Sequence, residues 1–142
     1  MEFALVAPLL LLLFFSMFEF GRLFFTRLTV RHAVIEATRF AVTGNIASDP
    51  ETGDPLDRVR SIQQTLQTRA MGLPIALDDI EIDPADGGGP EDVVRVTLTY
   101  TYTYSLPGFD DVLPDLRFAV STAMRNEPYF ETGSPTAAVA MP

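Results

Sequence analysis

The sequence predicts an α+β protein in which a long N-terminal hydrophobic helix precedes a short helix and a small antiparallel sheet of about three strands. Three observations support this fold class: an apolar run at the chain start, helical spacing that continues to Gly44, and strict alternation around residue 100. We expect a transmembrane helix over residues 1–25 and its amphipathic continuation over 22–45. A globular α+β domain over 46–130 and a flexible tail over 131–142 complete the chain.

The first helix is predicted from its hydrophobicity. Between residues 3 and 18 only Pro8 and Ser16 interrupt the apolar run, and further Phe and Leu extend it to about the ~20 residues that cross a bilayer. A cleaved signal peptide begins with basic residues, whereas the first charge here is Glu2. A buried core helix is usually shorter and amphipathic. We therefore expect a retained membrane or assembly helix.

Two acids flank the apolar run. A carboxylate in hydrocarbon costs about 2.5–3.5 kcal/mol on insertion scales, so it tends to be paired or functional. Arg22 follows Glu19 by three residues on the same helical face and is predicted to pair with it at the membrane edge. Glu2 has only a chain-terminal amine nearby, which favours a helix packed among identical helices. Pro8 removes one backbone hydrogen bond and is predicted to bend or locally open the helix.

The helix is predicted to continue as far as Thr43 because no Pro or Gly interrupts residues 22–43, and Gly44 provides a stop. Polar residues recur here in steps of three and four, opposite an apolar stripe that should pack on the following domain. Ala33, Ala37 and Ala41 are four residues apart and leave one face smooth enough for close packing.

The globular domain is predicted from turn and strand patterns. A second helix is expected from Pro55 or Leu56 to Met71, with Asp54 as its cap. Strands are expected over residues 79–83, 94–104 and 116–124. On the second strand a tyrosine row is a possible surface contact, such as a sugar-binding platform, although such a row more often forms core. The row consists of Tyr100, Tyr102 and Tyr104.

Composition argues against several functions. The net charge is −9, and residues 44–142 alone carry −10, so nucleic acid is a poor partner. There is no cysteine to form disulfides or thiolate sites. The single histidine, His32, is predicted to contact Glu36 one turn later on the helix surface. The acids of residues 78–92 do not follow a known calcium spacing and are interpreted as solvated turn residues. We expect no enzyme activity, no cofactor and no metal.

Three segments carry a family resemblance. They are Glu-Phe-Ala-Leu-Val-Ala-Pro at residues 2–8, Phe-Glu-Phe-Gly-Arg at 18–22 and Ala-Val-Ile-Glu-Ala-Thr-Arg-Phe-Ala-Val at 33–42. Together they resemble the N-terminal signature of TadE-like proteins, which are pilin-like subunits of the Tad (tight adherence) branch of type IV pili. A weaker likeness covers residues 119–127, and residues 46–115 match only in general plan.

The resemblance implies a subunit stored in the bacterial inner membrane whose helix enters an extracellular, adhesive pilus. It implies that Glu2 lies just after the prepilin-peptidase cut, neutralises a neighbouring subunit's N-terminal amine and sets axial register. The implied partners are other pilins or copies of this chain, the membrane, the assembly machinery and that peptidase. The predicted assembly residues are Glu2, Phe3, Pro8, Glu19, Arg22, Ala33, Ala37 and Ala41.

The orientation of the domain depends on a basic leader that precedes the glutamate in the family. Only Met1 precedes Glu2 here, so a removed leader and a start at Met1 both stay open. By the positive-inside rule, Arg22, Arg27 and Arg31 would place the domain in the cytoplasm. A removed basic leader would reverse that count, and we expect the family's orientation, with the domain outside.

Two functions of different class follow. The first is a structural subunit, minor or filament-forming, that assembles through burial of residues 3–25. The second is a binding module that one helix holds in the membrane and that displays its sheet to a ligand. Substitution of Glu2 separates them, because only the first function requires that carboxylate.

Overall fold

The computed structural model describes residues 2–105 and 114–128. The predicted tail and most of the predicted loop between the last two strands lie outside these residues. The α+β class is confirmed: a long helix, a short helix and a three-stranded antiparallel sheet follow in this order.

Helix α1 (Glu2–Val42) is one continuous helix that runs through Pro8 without a break. Its 41 residues span about 60 Å at 1.5 Å per residue. It ends where Gly44 adopts a positive φ of 66° and its N–H donates to the carbonyl of Ala41 at 3.2 Å. The first half projects from the domain, and the second half lies against it.

Helix α2 (Arg58–Arg69) packs on the second half of α1 through Ile62 and Leu66, which are buried. It begins two to three residues later than predicted. Pro55 instead forms an isolated bridge with Ser48, and the residue after it donates its N–H to the carbonyl of Ala47 at 2.9 Å. Asp54 is therefore not the cap, which corrects that prediction.

The sheet has the strand order β1 (Ile80–Asp83), β2 (Val93–Tyr102) and β3 (Leu116–Arg125), with β2 in the centre. Both pairings are antiparallel, and Leu98 is the Cα partner of Ile80 on one side and of Val120 on the other. The alternation of β2, which the sequence predicted, buries one face of the strand against α1. That face carries Val94, Val96, Leu98, Tyr100 and Tyr102.

The core lies between this face and the stripe that α1 presents to it. Val30, Val34 and the three predicted assembly alanines form the stripe, and each is at most 2% exposed. Ala33, Ala37 and Ala41 are thus covered by the chain's own domain, which corrects their prediction as an assembly surface. Small side chains let α1 approach the sheet and α2 closely, the same property that suggested contact with another helix.

Candidate membrane-anchoring and assembly site

The first half of α1 presents large apolar side chains on every side. Those between residues 3 and 18 that the structure describes are mostly exposed, from Phe3 near the start to Phe18. Among the described residues, α1 is the single helix that is long and apolar enough to cross a membrane, and its apolar window is only 11% buried. Residues 3–18 span about 24 Å, most of a ~30 Å hydrocarbon layer.

Glu19 lies where α1 enters the domain and is 6% exposed. The Tyr102 hydroxyl donates to its Oε1 at 2.6 Å, and the backbone N–H of Ser105 donates to the same oxygen at 3.3 Å. Arg22 Nη1 donates to both carboxylate oxygens at 3.3 Å. One cation and two further hydrogen-bond donors thus compensate the buried carboxylate, as a charged group removed from water requires.

Aromatic packing completes this group, which we call the Glu19 cluster (Glu19, Arg22, Tyr102 and Ser105). The Arg22 guanidinium carbon lies 5.6 Å from the centroid of the Tyr102 ring, within cation–π range. Tyr104 packs edge-on against Tyr102 with the ring centroids 5.7 Å apart. The cluster therefore joins the end of the central strand to the helix, at the end of the domain from which the apolar half of α1 projects.

The tyrosine row is mostly core. Tyr100 and Tyr102 are 9% and 3% exposed, and the ring of Tyr100 lies 5.8 Å from that of Phe118 on the neighbouring strand. Only Tyr104 is partly accessible. A sugar-binding platform needs exposed aromatic faces, and two of the three rings in this row are buried.

Burial changes the acidity of Tyr102. Burial first, and then the hydrogen bond to the Glu19 carboxylate and its negative charge, raise the pKa of Tyr102 from 10.0 to about 12. The ionised phenolate would face that carboxylate, so the neutral hydroxyl is favoured. The hydroxyl is accordingly a donor at all ordinary pH values.

The shifted pKa of Tyr102 predicts a loss of stability in alkali. The unfolded chain loses this proton near pH 10 and the folded chain near pH 12, so the contribution is full below pH 10 and declines between these values. Two pKa units correspond to about 2–3 kcal/mol. Ultraviolet titration should show one of the four tyrosines ionising late. Tyr102→Phe should remove that late step, and a single transition near pH 10 in the unaltered chain would contradict the assignment.

Sequence reasoning found Arg22 as the partner of Glu19 but missed Tyr102 and Ser105. The signal available was an acid inside an apolar run, which requires further donors, and a tyrosine near the end of a strand. The hydroxyl is 83 residues from the carboxylate along the chain, so only the fold brings them together. Glu36 also differs from prediction: it pairs with Arg39 at 3.7 Å, and His32 is exposed.

Two apolar grooves flank α1 where it leaves the domain. The larger, about 680 Å³, has a floor between Phe14 and Thr26 on α1 and is bounded on one side by Leu73, from the segment after α2. The smaller, about 440 Å³, lies on the side of Phe20 and Phe24, where its wall is the start of β3 at Leu116 and Phe118. We call them the large and the small groove.

Comparison with protein families gives a match for the N-terminal part of the chain. The family model described as TadE-like protein matches residues 1–39. These residues are similar to that family. The resemblance drawn from the sequence is thereby confirmed over residues 1–39, and it supports a TadE-like protein of the Tad pilus system, while the weaker likeness over residues 119–127 lies outside the match. Neither the comparison with curated proteins nor that with solved structures gives a match.

The TadE-like segment includes the apolar half of α1 together with Glu19 and Arg22. It ends before the sheet, so the Tyr102 hydroxyl and the Ser105 N–H come from outside the match. The match and the long apolar helix fit a membrane-anchored protein associated with the Tad pilus.

Proposed function

We propose that this TadE-like protein is a pilin-like structural subunit, stored in the bacterial inner membrane by α1 and assembled through it into a Tad pilus, as a minor or a filament-forming pilin. One observation carries the proposal: a helix segment that is apolar on every side projects from a small domain, and this domain covers Glu19, the acid at the end of the apolar run. Such a helix can exchange lipid for neighbouring helices without exposing a charge.

The proposed orientation has the domain outside the cytoplasm. Arg22, Arg27 and Arg31 follow the apolar run and by themselves favour a cytoplasmic domain. The proposed orientation rests instead on the family resemblance, which implies a basic leader on the other side of the span.

We also propose that the protein is not an enzyme and that adhesion, where it occurs, belongs to the assembled pilus. Glu19 is the buried acid among the residues whose burial the structure describes, and its hydrogen bonds connect helix to strand. A binding module would use the aromatic row, whose members Tyr100 and Tyr102 are in the core.

Glu2→Ala tests assembly. Glu2 is the first residue of α1, and the family resemblance gives it the role of neutralising a neighbour's N-terminal amine. We expect the variant to reach the membrane in normal amounts while surface filaments are lost. Electron microscopy and mass spectrometry of sheared filaments, with immunoblots of membranes, measure both quantities.

The matched control is Glu36→Ala, which removes an acid from the same helix within the domain. It should leave filaments unchanged. Normal filaments from Glu2→Ala would remove the register role. The amount of this chain in wild-type filaments separates a filament-forming pilin, which would dominate, from a minor one.

A further inference from the structure

We call the part of the domain that lines the two grooves, at Leu73, Leu116 and Phe118, the base of the domain. The base lies beside the apolar part of α1 and not beyond its end. The large groove has a floor that starts at Phe14, four residues before Phe18, and its other wall is Leu73. The small groove places Leu116 beside Phe20 and Phe24. Two domain segments that are far apart in sequence thus flank α1 at the level where its apolar run ends.

The length of the helix places this height at the bilayer edge. Counted from Phe3, a hydrocarbon layer of ~30 Å takes up about 20 residues and ends near Arg22. Both grooves include helix residues on each side of that position. The interfacial layer of headgroups adds about 5–8 Å on each side of the hydrocarbon. Leu73 and Leu116 therefore lie within reach of that layer.

Exposed apolar side chains on the next turns of α1 support the same height. The domain begins to cover α1 at Glu19, yet Phe24 and Phe25, which line the small and the large groove, and Leu28 stay exposed, at 57%, 60% and 50%. The rise from Glu19 to Leu28 is about 13 Å. A membrane surface at Glu19 would leave these side chains in water. A hydrocarbon layer that ends near Arg22, with an interfacial layer that extends towards Leu28, covers them and brings the base of the domain into that interfacial layer.

We propose that the membrane-stored subunit seats the base of its domain in the interfacial layer of the bilayer, with lipid acyl chains in both grooves and with Leu73 and Leu116 facing them. Arg27 and Arg31, which are exposed, then lie at the level of the phosphates. The occupant is lipid because the grooves are continuous with the membrane-spanning surface of α1. This seating goes beyond the proposed function and depends only on the membrane anchor.

The test uses the absence of cysteine from the chain. Leu73→Cys and Leu116→Cys are labelled singly with an NBD fluorophore, and the full chain is reconstituted into vesicles of phosphatidylcholine and phosphatidylglycerol. Quenching by lipids that carry a doxyl group near the headgroup reports contact with lipid. Quenching by aqueous iodide reports contact with water.

Val93→Cys is the matched control because Val93 is an exposed apolar residue, at 59%, on the strand that ends at Tyr102. Nine residues of strand place it about 30 Å from the Glu19 cluster. We expect doxyl quenching at positions 73 and 116 to be several-fold stronger than at position 93, and iodide quenching to follow the opposite order.

Two results would overturn the proposal. Strong iodide quenching at positions 73 and 116 would place the base in water, and protection from both quenchers would show that protein covers it. Leu73 is partly buried, so Met71→Cys, at a residue 76% exposed, provides a second position in the same segment. Circular dichroism verifies that each labelled variant is folded. Vesicles contain no assembly machinery, so a failure here is separate from a failure of filament assembly.

Discussion

Glu19→Ala should lower the free energy of unfolding of the domain by about 3–5 kcal/mol, because it removes one partner of a buried charged group. The Tyr102 hydroxyl and the Ser105 N–H would lose their acceptor, and Arg22 would lose its counter-charge. Denaturant unfolding of the full chain in detergent, followed by tyrosine fluorescence and circular dichroism, measures the effect.

Glu36→Ala is the control for this experiment because the Glu36–Arg39 pair has the same three-residue spacing on the same helix. Its arginine side chain is 69% exposed, so we expect a change below about 1 kcal/mol. Tyr102→Phe removes one hydrogen bond to a charged acceptor and should cost about 1.5–3 kcal/mol. Equal effects of Glu19→Ala and Glu36→Ala would show that the Glu19 cluster does not hold the domain on the helix.

Ala37→Asp should cost about 3–5 kcal/mol because it places an unpaired carboxyl group in the core. Ala37 is fully buried, in the stripe that α1 presents to the rest of the domain. The same unfolding experiment on the isolated subunit measures the loss. This result would establish that the alanine stripe serves folding, since an assembly surface would not affect the stability of a single subunit.

His32→Asp is the matched control, because position 32 lies on the exposed face of the same helix. Both variants introduce aspartate into a helix interior, so the propensity term is similar and the difference between them reports burial. We expect the control to change stability by less than about 1 kcal/mol. Equal losses for the two variants would contradict the placement of Ala37 in the core.

The elements with a strong period could be predicted from the sequence. The apolar run and the spacing up to Gly44 predicted α1 to within about one residue of its end at Val42. The alternation of β2 predicted both the strand and its buried face. In these segments the spacing of apolar residues that forms the helix or strand is also the spacing that the core requires. The local sequence pattern is therefore sufficient to predict them.

Other features depended on contacts that the local pattern does not contain. Alanines four residues apart fit a close contact with any surface, and the spacing alone does not distinguish another subunit from the chain's own sheet. Pro55 is equally suitable as a first helical residue or in a bridge, and its pairing with Ser48 decides the start of α2. The bond between Tyr102 and Glu19 requires the finished arrangement of helix and sheet.

The attachment of α1 at both ends of the domain has a mechanical consequence. Near the membrane the helix is joined to the central strand through Glu19 and Tyr102, and at its far end the carbonyl of Val42 accepts the N–H of Glu127 at 2.9 Å. These joints are about 35 Å apart along the helix. Traction on the apolar segment would therefore be transmitted to the sheet at two separated points, so helix and domain would move together as one rigid body.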